Sequence, residues 1–375
     1  MNKNNVGLSG AAVLVTGAAG FIGSYLTAEL MRRFEDIHVI GVDSVNDYYD
    51  VSLKEYRLEK LRALAESLHN GSRFTFLRGN LADKALVDGL FGTYAPDVVV
   101  NLAAQAGVRY SIDHPDVYIE SNLIGFYNLL EACRHSYDGG AEGVRHLVYA
   151  SSSSVYGNNE KVPYSTDDKV DNPISLYAAT KKSDELLAHA YAKIYDIPST
   201  GLRFFTVYGP AGRPDMAYFG FTDKLRAGET IQIFNYGNCR RDFTYIDDIV
   251  EGVIRVMQSA PERSTGSDGL PTPPYRLYNI GNSHPESLLD FVTILQEELV
   301  AAGVLPEDYD FEGHKRLVPM QPGDVAVTYA DTEPLERDFG FRPDTTLREG
   351  LRRFARWYKE YYDVGPEGEQ NDQRG

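Results

Sequence analysis

The sequence predicts an α/β fold: a doubly wound parallel sheet with helices on both faces, joined to a smaller mixed α/β lobe. Strand-like apolar runs alternate with helical patterns through the first half of the 375-residue chain. Such alternation is typical of parallel sheets covered by helices. Beyond about residue 210 it gives way to short strands, helices and turns rich in Gly and Pro. The first pattern predicts the large sheet, and the second predicts the lobe.

Each element of the large sheet is indicated by its own apolar pattern. The predicted strands, in chain order, are Ala12–Thr16, His38–Asp43, Phe74–Arg78, Val98–Leu102 and His146–Ser151, with Ser199–Phe205 expected to complete the sheet. The helical patterns between them are Ile22–Phe34, Leu53–Leu68, Lys84–Tyr94, Val117–His135 and Leu176–Tyr195. In the lobe we expect a strand over Thr230–Phe234 and a helix over Ser287–Ala302.

The chain is expected to divide into one large domain, one lobe and two terminal segments. Residues 11–208 are mainly the large domain and 209–362 mainly the lobe, with 244–258 returning to the large domain. Residues 1–10 are expected to be flexible. Residues 363–375 contain almost no apolar residue, which predicts a disordered tail.

Composition argues against several classes of protein. The formal net charge of −17 argues against nucleic acid or an anionic membrane as a partner, because no basic stripe offsets it. No apolar run approaches the length of a membrane span, and the polar first residues predict no signal peptide. Two cysteines without metal-type spacing, Cys133 and Cys239, favour a reducing, cytoplasmic setting and no metal site.

A glycine-rich turn follows the first predicted strand. Gly17, Gly20 and Gly23 are spaced G-x-x-G-x-x-G ahead of the first helix. Glycines let the backbone approach phosphates, and a helix start offers unpaired N–H groups and the positive end of its dipole. The order strand, glycine turn, helix therefore predicts a Rossmann-type dinucleotide site. Plain packing of the glycines is the alternative.

The second predicted strand ends in Asp43, twenty residues after Gly23. A carboxylate at this place binds the adenosine ribose hydroxyls and repels a 2′-phosphate. This predicts NAD rather than NADP, and a solvated strand-end aspartate is the alternative.

Tyr177 and Lys181 lie four residues apart on a predicted helix, so their side chains share one face. An ammonium group stabilises a nearby phenolate, which can then act as a base; a solvated pair is the alternative. Four consecutive hydroxyls, Ser151–Ser154, end a predicted strand, where serine is unfavourable. A serine there can share a substrate proton with the phenol. Together with the glycine turn and Asp43, these residues predict an NAD-dependent enzyme.

The chain resembles the extended short-chain dehydrogenases/reductases of the NAD-dependent epimerase/dehydratase family, most closely the UDP-glucuronate 4-epimerases. The similarity runs from about Ala11 to Tyr362. Its most specific stretches are Asn101–Ser111, Ser175–Lys182, Arg203–Pro210, Gly212–Ala217 and Arg241–Asp248.

This resemblance implies NAD as cofactor, and Ser152, Tyr177 and Lys181 as catalytic residues. Implied cofactor-binding residues are Gly17, Gly20, Phe21, Ile22, Gly23, Asp43, Asn46, Asn80, Leu81, Leu102, Ala103, Ala104, Gln105, Tyr177 and Lys181. Candidate UDP-sugar-binding residues are Arg109, Ser152, Ser153, Ser154, Tyr177, Thr206, Arg213, Ala217, Tyr218, Ile233, Arg241 and Asp324, with Arg241 on the pyrophosphate. Two positions depart from the family's pattern. Ala211 replaces a common bulky aromatic and is expected to alter the sugar pocket, whereas Asn80 replaces an aspartate near the adenine and can still accept a hydrogen bond.

The implied reaction is C4 epimerisation of UDP-glucuronate to UDP-galacturonate through a transient 4-keto sugar. Tyr177 is the expected base, Lys181 stabilises its phenolate and Ser152 shares the proton. Ser153 and Ser154 stand where resembling dehydratases and decarboxylases carry acidic residues, so elimination and decarboxylation are disfavoured. Ser153, Ser154, Thr206, Arg213 and Arg109 are candidate donors to the substrate carboxylate.

Three alternatives remain open at this point. They are a UDP-glucose/UDP-galactose 4-epimerase, a UDP-glucuronate decarboxylase or dehydratase, and a non-catalytic NAD-binding regulator.

A homodimer is expected, because the helices over Leu123–His135 and Tyr177–Tyr195 resemble the pair that forms a four-helix interface in this family. His189 and the other histidines are expected to be structural. Asp247 and Asp248 are expected to cap a helix that begins at Ile249.

Overall fold

The computed structural model describes residues 3–266, 269–320 and 326–363. The strands are β1 Lys3–Asn5, β2 Ala12–Thr16, β3 His38–Asp43, β4 Arg73–Arg78, β5 Val98–Asn101, β6 His146–Ser152, β7 Ser199–Phe204, β8 Thr206–Tyr208, β9 Ile231–Ile233, β10 Arg240–Tyr245, β11 Ser259–Pro261, β12 Ser264–Thr265, β13 Pro271–Thr272, β14 Tyr275–Ile280, β15 Pro285–Ser287, β16 Lys315–Leu317 and β17 Val327–Thr328.

The helices are α1 Phe21–Arg33, α2 Val51–Ser67, α3 Lys84–Tyr94, α4 Tyr110–Asp113, α5 Pro115–Tyr118, α6 Gly125–His135, α7 Leu176–Tyr195, α8 Ala217–Arg226, α9 Ile246–Met257, α10 Leu288–Ala301, α11 Glu333–Phe339 and α12 Leu347–Asp363. A π-helical turn over Ile119–Ile124 joins α5 to α6, and 3₁₀ turns cover Asp138–Gly140, Ser153–Tyr156 and Phe234–Gly237.

The central sheet has seven parallel strands in the order β14-β7-β6-β5-β2-β3-β4. The chain builds outward from β2 to β4 and then returns to build the other half from β5. This order confirms the doubly wound α/β class. Ligands bind such sheets at the carboxyl ends of the strands, where the order reverses; here that place lies between β2 and β5.

Side chains of the sheet alternate between two cores because successive residues of a strand point to opposite faces. Val13 and Val15 of β2 pack in one core with residues of α1 and α9, including Leu26 and Val253. Leu14 packs in the other core with residues of α6 and α7. Both faces are thus covered, as the near-continuous apolar runs of the sequence require.

The smaller lobe is built on β10, which pairs in parallel with β8 and β17 and antiparallel with β15. A second small sheet pairs β9 with β16. The helix α9, which follows β10, packs back against α1 of the large domain.

Three sequence expectations are corrected by the fold. Residues 3–10 are not a flexible segment: β1 pairs with β11, and Val6 and Leu8 are buried. The sheet is completed by β14, which pairs with β7, and not by β7 as expected. This strand was not predicted because Tyr275–Ile280 mixes polar and apolar residues, as an edge strand can, instead of forming a continuous apolar run.

The third correction concerns two helix boundaries. The helix expected from Ile249 begins at Ile246, so Asp247 and Asp248 lie in its first turn rather than capping it. The helix expected over Val117–His135 is interrupted by the π turn, in which buried Asn122 accepts a hydrogen bond from the backbone N of Gln105 (2.8 Å) and donates to Thr180 (3.0 Å). Such π turns occur frequently at functional sites.

Within the described ranges, no helix is long and apolar enough to cross a membrane. The same residues include no group of three His, Cys, Asp or Glu side chains placed to hold a metal ion.

Candidate active site

A cavity of about 1060 Å³ opens at the carboxyl ends of the sheet strands. Its wall comes from the ends of β2, β3, β5 and β6, from the start of α7, and from lobe residues that include Arg213 and Ala217. It therefore lies where the strand order reverses, between the sheet and the lobe.

The glycine turn has the shape that a dinucleotide requires. Gly17 has φ +71°, a conformation that favours glycine, and a Cβ there would lie 2.8 Å from the backbone N of Ala103. A Cβ on Gly20 would lie 2.9 Å from the carbonyl oxygen of Gly17, and one on Gly23 would collide with the same atom. Side chains at these three positions would therefore collide with the backbone of the turn itself or of the segment after β5. Only glycines allow this tight turn, and the residues present fit NAD.

Asp43, at the end of β3, lies beside the glycine turn on the cavity wall. Its carboxylate accepts hydrogen bonds from the backbone N of Ala19 (3.1 Å) and of Val45 (2.8 Å). These bonds fix the carboxylate on the cavity wall, where ribose hydroxyls can reach it.

Arg57, on α2, ties the glycine turn to the lobe. Its buried guanidinium donates to the carbonyl of Ala19 (3.0 Å), to that of Ala211 (2.7 Å) and to that of Gly212 (2.9 Å). The cofactor turn and the first lobe segment are therefore held in one arrangement.

Tyr177 and Lys181 both face the cavity from the first turns of α7, and Ser152 faces it from the end of β6. The helix begins where it does because the Ser175 hydroxyl accepts a hydrogen bond from the backbone N of Ala178. The Ser152 hydroxyl bonds the Ser154 hydroxyl and the Ser154 backbone N, each at 3.1 Å. The structure brings the expected catalytic residues to one wall.

The four serines have different surroundings. All four line the cavity, but the Ser151 hydroxyl donates to buried Glu185 (2.7 Å), away from the other three. The Ser151 hydroxyl therefore makes a structural hydrogen bond, whereas the Ser152, Ser153 and Ser154 side chains are the ones expected to meet the substrate.

Every residue expected to bind the cofactor lies on the cavity wall. So do most of those expected to bind substrate: Arg109, Ser152, Ser153, Ser154, Tyr177, Thr206, Arg213 and Ala217. Arg213 is held by two hydrogen bonds to the carboxylate of Asp215, which also accepts from the Tyr48 hydroxyl (3.2 Å). Its guanidinium is thus fixed at the cavity edge.

Several other expected substrate residues lie elsewhere. Tyr218 and Ile233 are buried in the apolar core, because the inner faces of α8 and β9 carry them away from the cavity. Arg241 is off the cavity wall, donating to the carbonyls of Arg240 (3.0 Å) and Ala326 (3.1 Å). Asp324 lies outside the described residues.

The expectation that Ala211 reshapes the sugar pocket is also corrected. Ala211 is buried and does not belong to the cavity wall. Its backbone carbonyl accepts two hydrogen bonds from Arg57 and so helps to hold the lobe segment against α2.

Sequence reasoning missed part of the wall. Tyr48, Asp215, Phe221, Lys224 and Phe234 all face the cavity from loops or from α8. Helical spacing offered one available signal: Phe221 follows Ala217 by four residues and Lys224 follows Phe221 by three, intervals that keep side chains on one helical face.

The doubly wound sheet, the glycine turn and the Ser, Tyr and Lys side chains on one wall define the class of extended short-chain dehydrogenases/reductases. Residues 13–281 match the NAD dependent epimerase/dehydratase family, and the chain belongs to that family.

Two relatives and one solved structure are similar to this chain over nearly its whole length. The chain is 47% identical to UDP-glucuronate 4-epimerase 4 of Arabidopsis thaliana over 94% of its own length and 76% of the relative's. It is 41% identical to a probable UDP-glucuronate 4-epimerase of Rhizobium meliloti, over 93% and 97% of the two chains. Among solved structures, it resembles a UDP-glucuronic acid 4-epimerase from Bacillus cereus in complex with UDP-glucuronic acid and NAD. That match has a TM-score of 0.75 and 30% identity, and it covers 94% of this chain and 100% of the other.

Proposed function

We propose that this protein is an NAD-dependent epimerase that interconverts UDP-glucuronate and UDP-galacturonate by inverting C4 of the sugar. The observation that carries the proposal is the single cavity wall that combines Ser152, Tyr177 and Lys181 with the hydroxyls of Ser153 and Ser154. The large domain, residues 11–208, would hold the cofactor, and the lobe, residues 209–362, the UDP-sugar.

The chain's own residues supply the proton chemistry. Tyr177, as phenolate, removes the proton of the C4 hydroxyl while Ser152 shares the hydrogen bond, and the Lys181 ammonium stabilises the phenolate. When bound, NAD supplies a reversible hydride acceptor. Inversion requires the 4-keto sugar to turn before its C4 hydrogen is restored. Tyr177 then returns the proton to the oxygen on C4.

The cavity wall favours epimerisation over loss of CO₂. The 4-keto form of a glucuronate is a β-keto acid, which decarboxylates when its carboxylate is desolvated. Hydrogen bonds from Ser153, Ser154, Thr206 and Arg213 would hold that carboxylate charged and solvated by polar groups. For the UDP group, Lys224 places a cation on the same wall.

The decisive experiment incubates purified protein with UDP-glucuronate, without added NAD, and separates the products by anion-exchange chromatography. We expect UDP-galacturonate, because a cofactor that is reoxidised in every cycle need not leave. A UDP-pentose product would instead indicate a decarboxylase. Conversion of UDP-glucose alone would indicate the neutral-sugar epimerase, and no turnover of any sugar would indicate a regulator.

Arg213→Met is expected to raise KM for UDP-glucuronate about 30-fold, since a charged hydrogen bond contributes about 2 kcal/mol. The KM for UDP-glucose should change less than threefold, because that sugar has no carboxylate. Steady-state kinetics on both substrates measure the difference. Arg32→Met, which removes an arginine from an exposed ion pair with Glu29, is the matched control. Equal losses on the two sugars would exclude the carboxylate role.

We propose that the protein works as a homodimer joined through α6, α7 and the turn before α6. Large apolar side chains are exposed on these elements: Ile124, Tyr127, Leu186, Ile194 and Tyr195, with Leu186 60% and Ile194 66% exposed. Large apolar side chains exposed on two helices that contact each other suit a protein interface, and a two-fold dimer would bury the same helices of both copies.

Leu186→Arg is expected to convert the protein from twice the chain mass to a single chain mass in sedimentation equilibrium. The control is Leu317→Arg, because Leu317 is also exposed but lies on β16. A wild-type protein that sediments as a monomer at micromolar concentration would contradict the dimer.

We also place the protein in the cytoplasm. Cys133 and Cys239 are both free and buried, which suits a reducing compartment.

A further inference from the structure

Two adjacent carboxylates lie buried on α7 behind the catalytic wall, and their surroundings differ. Glu185 accepts two hydrogen bonds from Arg203 (2.8 and 2.9 Å), one from Ser151 (2.7 Å) and one from Lys182 (3.3 Å). The Asp184 side chain accepts one hydrogen bond from the described residues, donated by the Lys181 ammonium to its Oδ2 (3.2 Å). Its other oxygen, Oδ1, has no hydrogen-bond partner among the described residues. Glu185 is therefore fully compensated, whereas Asp184 depends on the lysine.

Lys181, the partner of Asp184, also lines the cavity. The Lys181 ammonium also donates to the carbonyl of Ala150 (3.0 Å), so two of its three protons are engaged behind the wall. The side chains of Lys181 and Asp184 are 3% and 2% exposed. In such a site a neighbouring charge acts more strongly than in water. An ionised Asp184 would offset the positive charge that Lys181 presents to Tyr177.

We propose that Asp184 is a positioning residue that fixes Lys181 against β6 and, through its own protonation, sets the charge that the lysine offers to Tyr177. This rests on the proposed function, because it assigns Tyr177 as the base. Protonated Asp184 leaves the full ammonium charge, and ionised Asp184 reduces it. The carboxyl thus couples the activity of the base to pH.

The charged and titratable groups around Asp184 support this coupling. Lys181 and Glu185 interact with it from its own helix, and Tyr149 does so from β6. Behind Glu185 lie Arg203 on β7 and Tyr275 on β14, with Tyr156 under the Arg203 guanidinium; Tyr118 on α5 contacts the Tyr177 ring.

Burial raises the pKa of Asp184 to about 7, against the opposing effect of Lys181. The pKa of Glu185 is lowered instead, because Arg203 outweighs the effect of its burial. Only Asp184 of this pair changes charge near neutral pH.

The test compares wild type with Asp184→Asn, which keeps the shape and a hydrogen-bond acceptor but cannot ionise. In the pH profile of kcat, the part of the acidic limb above pH 7, where wild-type Asp184 is ionised, should lie about one unit lower in the variant, since one nearby charge has been removed. Below that pH, where Asp184 is neutral in both proteins, the two profiles should converge. Asp88→Asn is the matched control, because Asp88 also pairs with a lysine on a helix but is exposed. An acidic limb that coincides with that of wild type would overturn the proposal.

Thermal unfolding gives a readout that needs no turnover. A carboxyl whose pKa is raised on folding contributes stability below its unfolded pKa, about 4, and loses it as pH rises through about 7. The Tm of Asp184→Asn relative to wild type should therefore increase between pH 5 and 8. A constant difference would mean that Asp184 is only a hydrogen-bond acceptor, and would reject the charge role.

Failure of the proposed function and failure of the Asp184 variant to fold can each be distinguished from failure of this proposal. If wild type does not turn over UDP-glucuronate, the proposed function fails, yet the Tm series still decides whether Asp184 titrates beside Lys181. If Asp184→Asn does not fold, Lys181→Met tests the same ion pair by removing the cation instead of the carboxylate. It leaves the carboxyl without its cation, so its loss of Tm relative to wild type should grow from pH 5 to pH 8, and a pH-independent loss would overturn the proposal.

Discussion

Replacing Tyr177 by Phe should lower kcat on UDP-glucuronate by on the order of 10³-fold, the loss expected when a general base is removed. The substituted oxygen faces the cavity, so the fold should be unaffected and KM should change only a few-fold. Product formation followed by chromatography gives kcat, and circular dichroism melting checks the fold.

The matched control for that variant is Tyr236→Phe, which removes a hydroxyl from an exposed tyrosine in the 3₁₀ turn Phe234–Gly237, off the cavity wall. It should retain full activity. Substrate deuterated at C4 gives an independent check, because the label should stay on C4 of the product when no proton from water enters that position. Turnover of the Tyr177 variant within tenfold of wild type would reject the assignment of the base.

Replacing Arg203 by Met should destabilise the protein by about 3 kcal/mol, because buried Glu185 loses its bidentate partner and keeps only Lys182 as a cation (3.3 Å). Arg203 is 1% exposed and binds Glu185 through two parallel hydrogen bonds. Its guanidinium also lies 4.8 Å from the Tyr156 ring centre. Urea unfolding followed by circular dichroism measures the loss.

A double variant distinguishes a lost charge partner from lost packing. Arg203→Met combined with Glu185→Leu removes both charges, and replacing a buried pair by apolar residues is often close to neutral. We expect it to recover most of the stability lost in the single variant. If the double variant is as unstable as Arg203→Met alone, packing around the arginine dominates and the interpretation of a buried ion pair is wrong.

Most of the large sheet was predictable from local sequence. The strand at Ala12–Thr16, the strand at His38–Asp43 and the helix Leu176–Tyr195 occur with the bounds that the apolar patterns indicate. Strands buried on both faces are nearly all apolar, so their ends are sharply marked. The missed strand, Tyr275–Ile280, is the informative case: it mixes Tyr, Arg and Asn with two aliphatic residues, and only its pairing with β7 identifies it.

The site residues at the ends of the sheet strands could be predicted from the sequence, whereas the site residues of the lobe could be predicted only in part. Gly17, Asp43 and Ser152 come directly at or after the ends of parallel strands, and these ends meet at one edge of the sheet. Tyr218 and Ile233 were misplaced because the sequence of an irregular lobe does not say which face of a short helix or strand turns inward.

The fold class, the glycine turn and the order of the chemical groups along the chain follow from local sequence, because backbone conformation and apolar periodicity act over a few residues. Which neighbours those groups meet depends on how distant segments pack together. Asp184 and Glu185 are adjacent acids in the same helix, yet one bonds an arginine from β7 and the other a lysine on the cavity wall. That difference arises from contacts between distant segments and from the exclusion of water around them, and no local pattern encodes it.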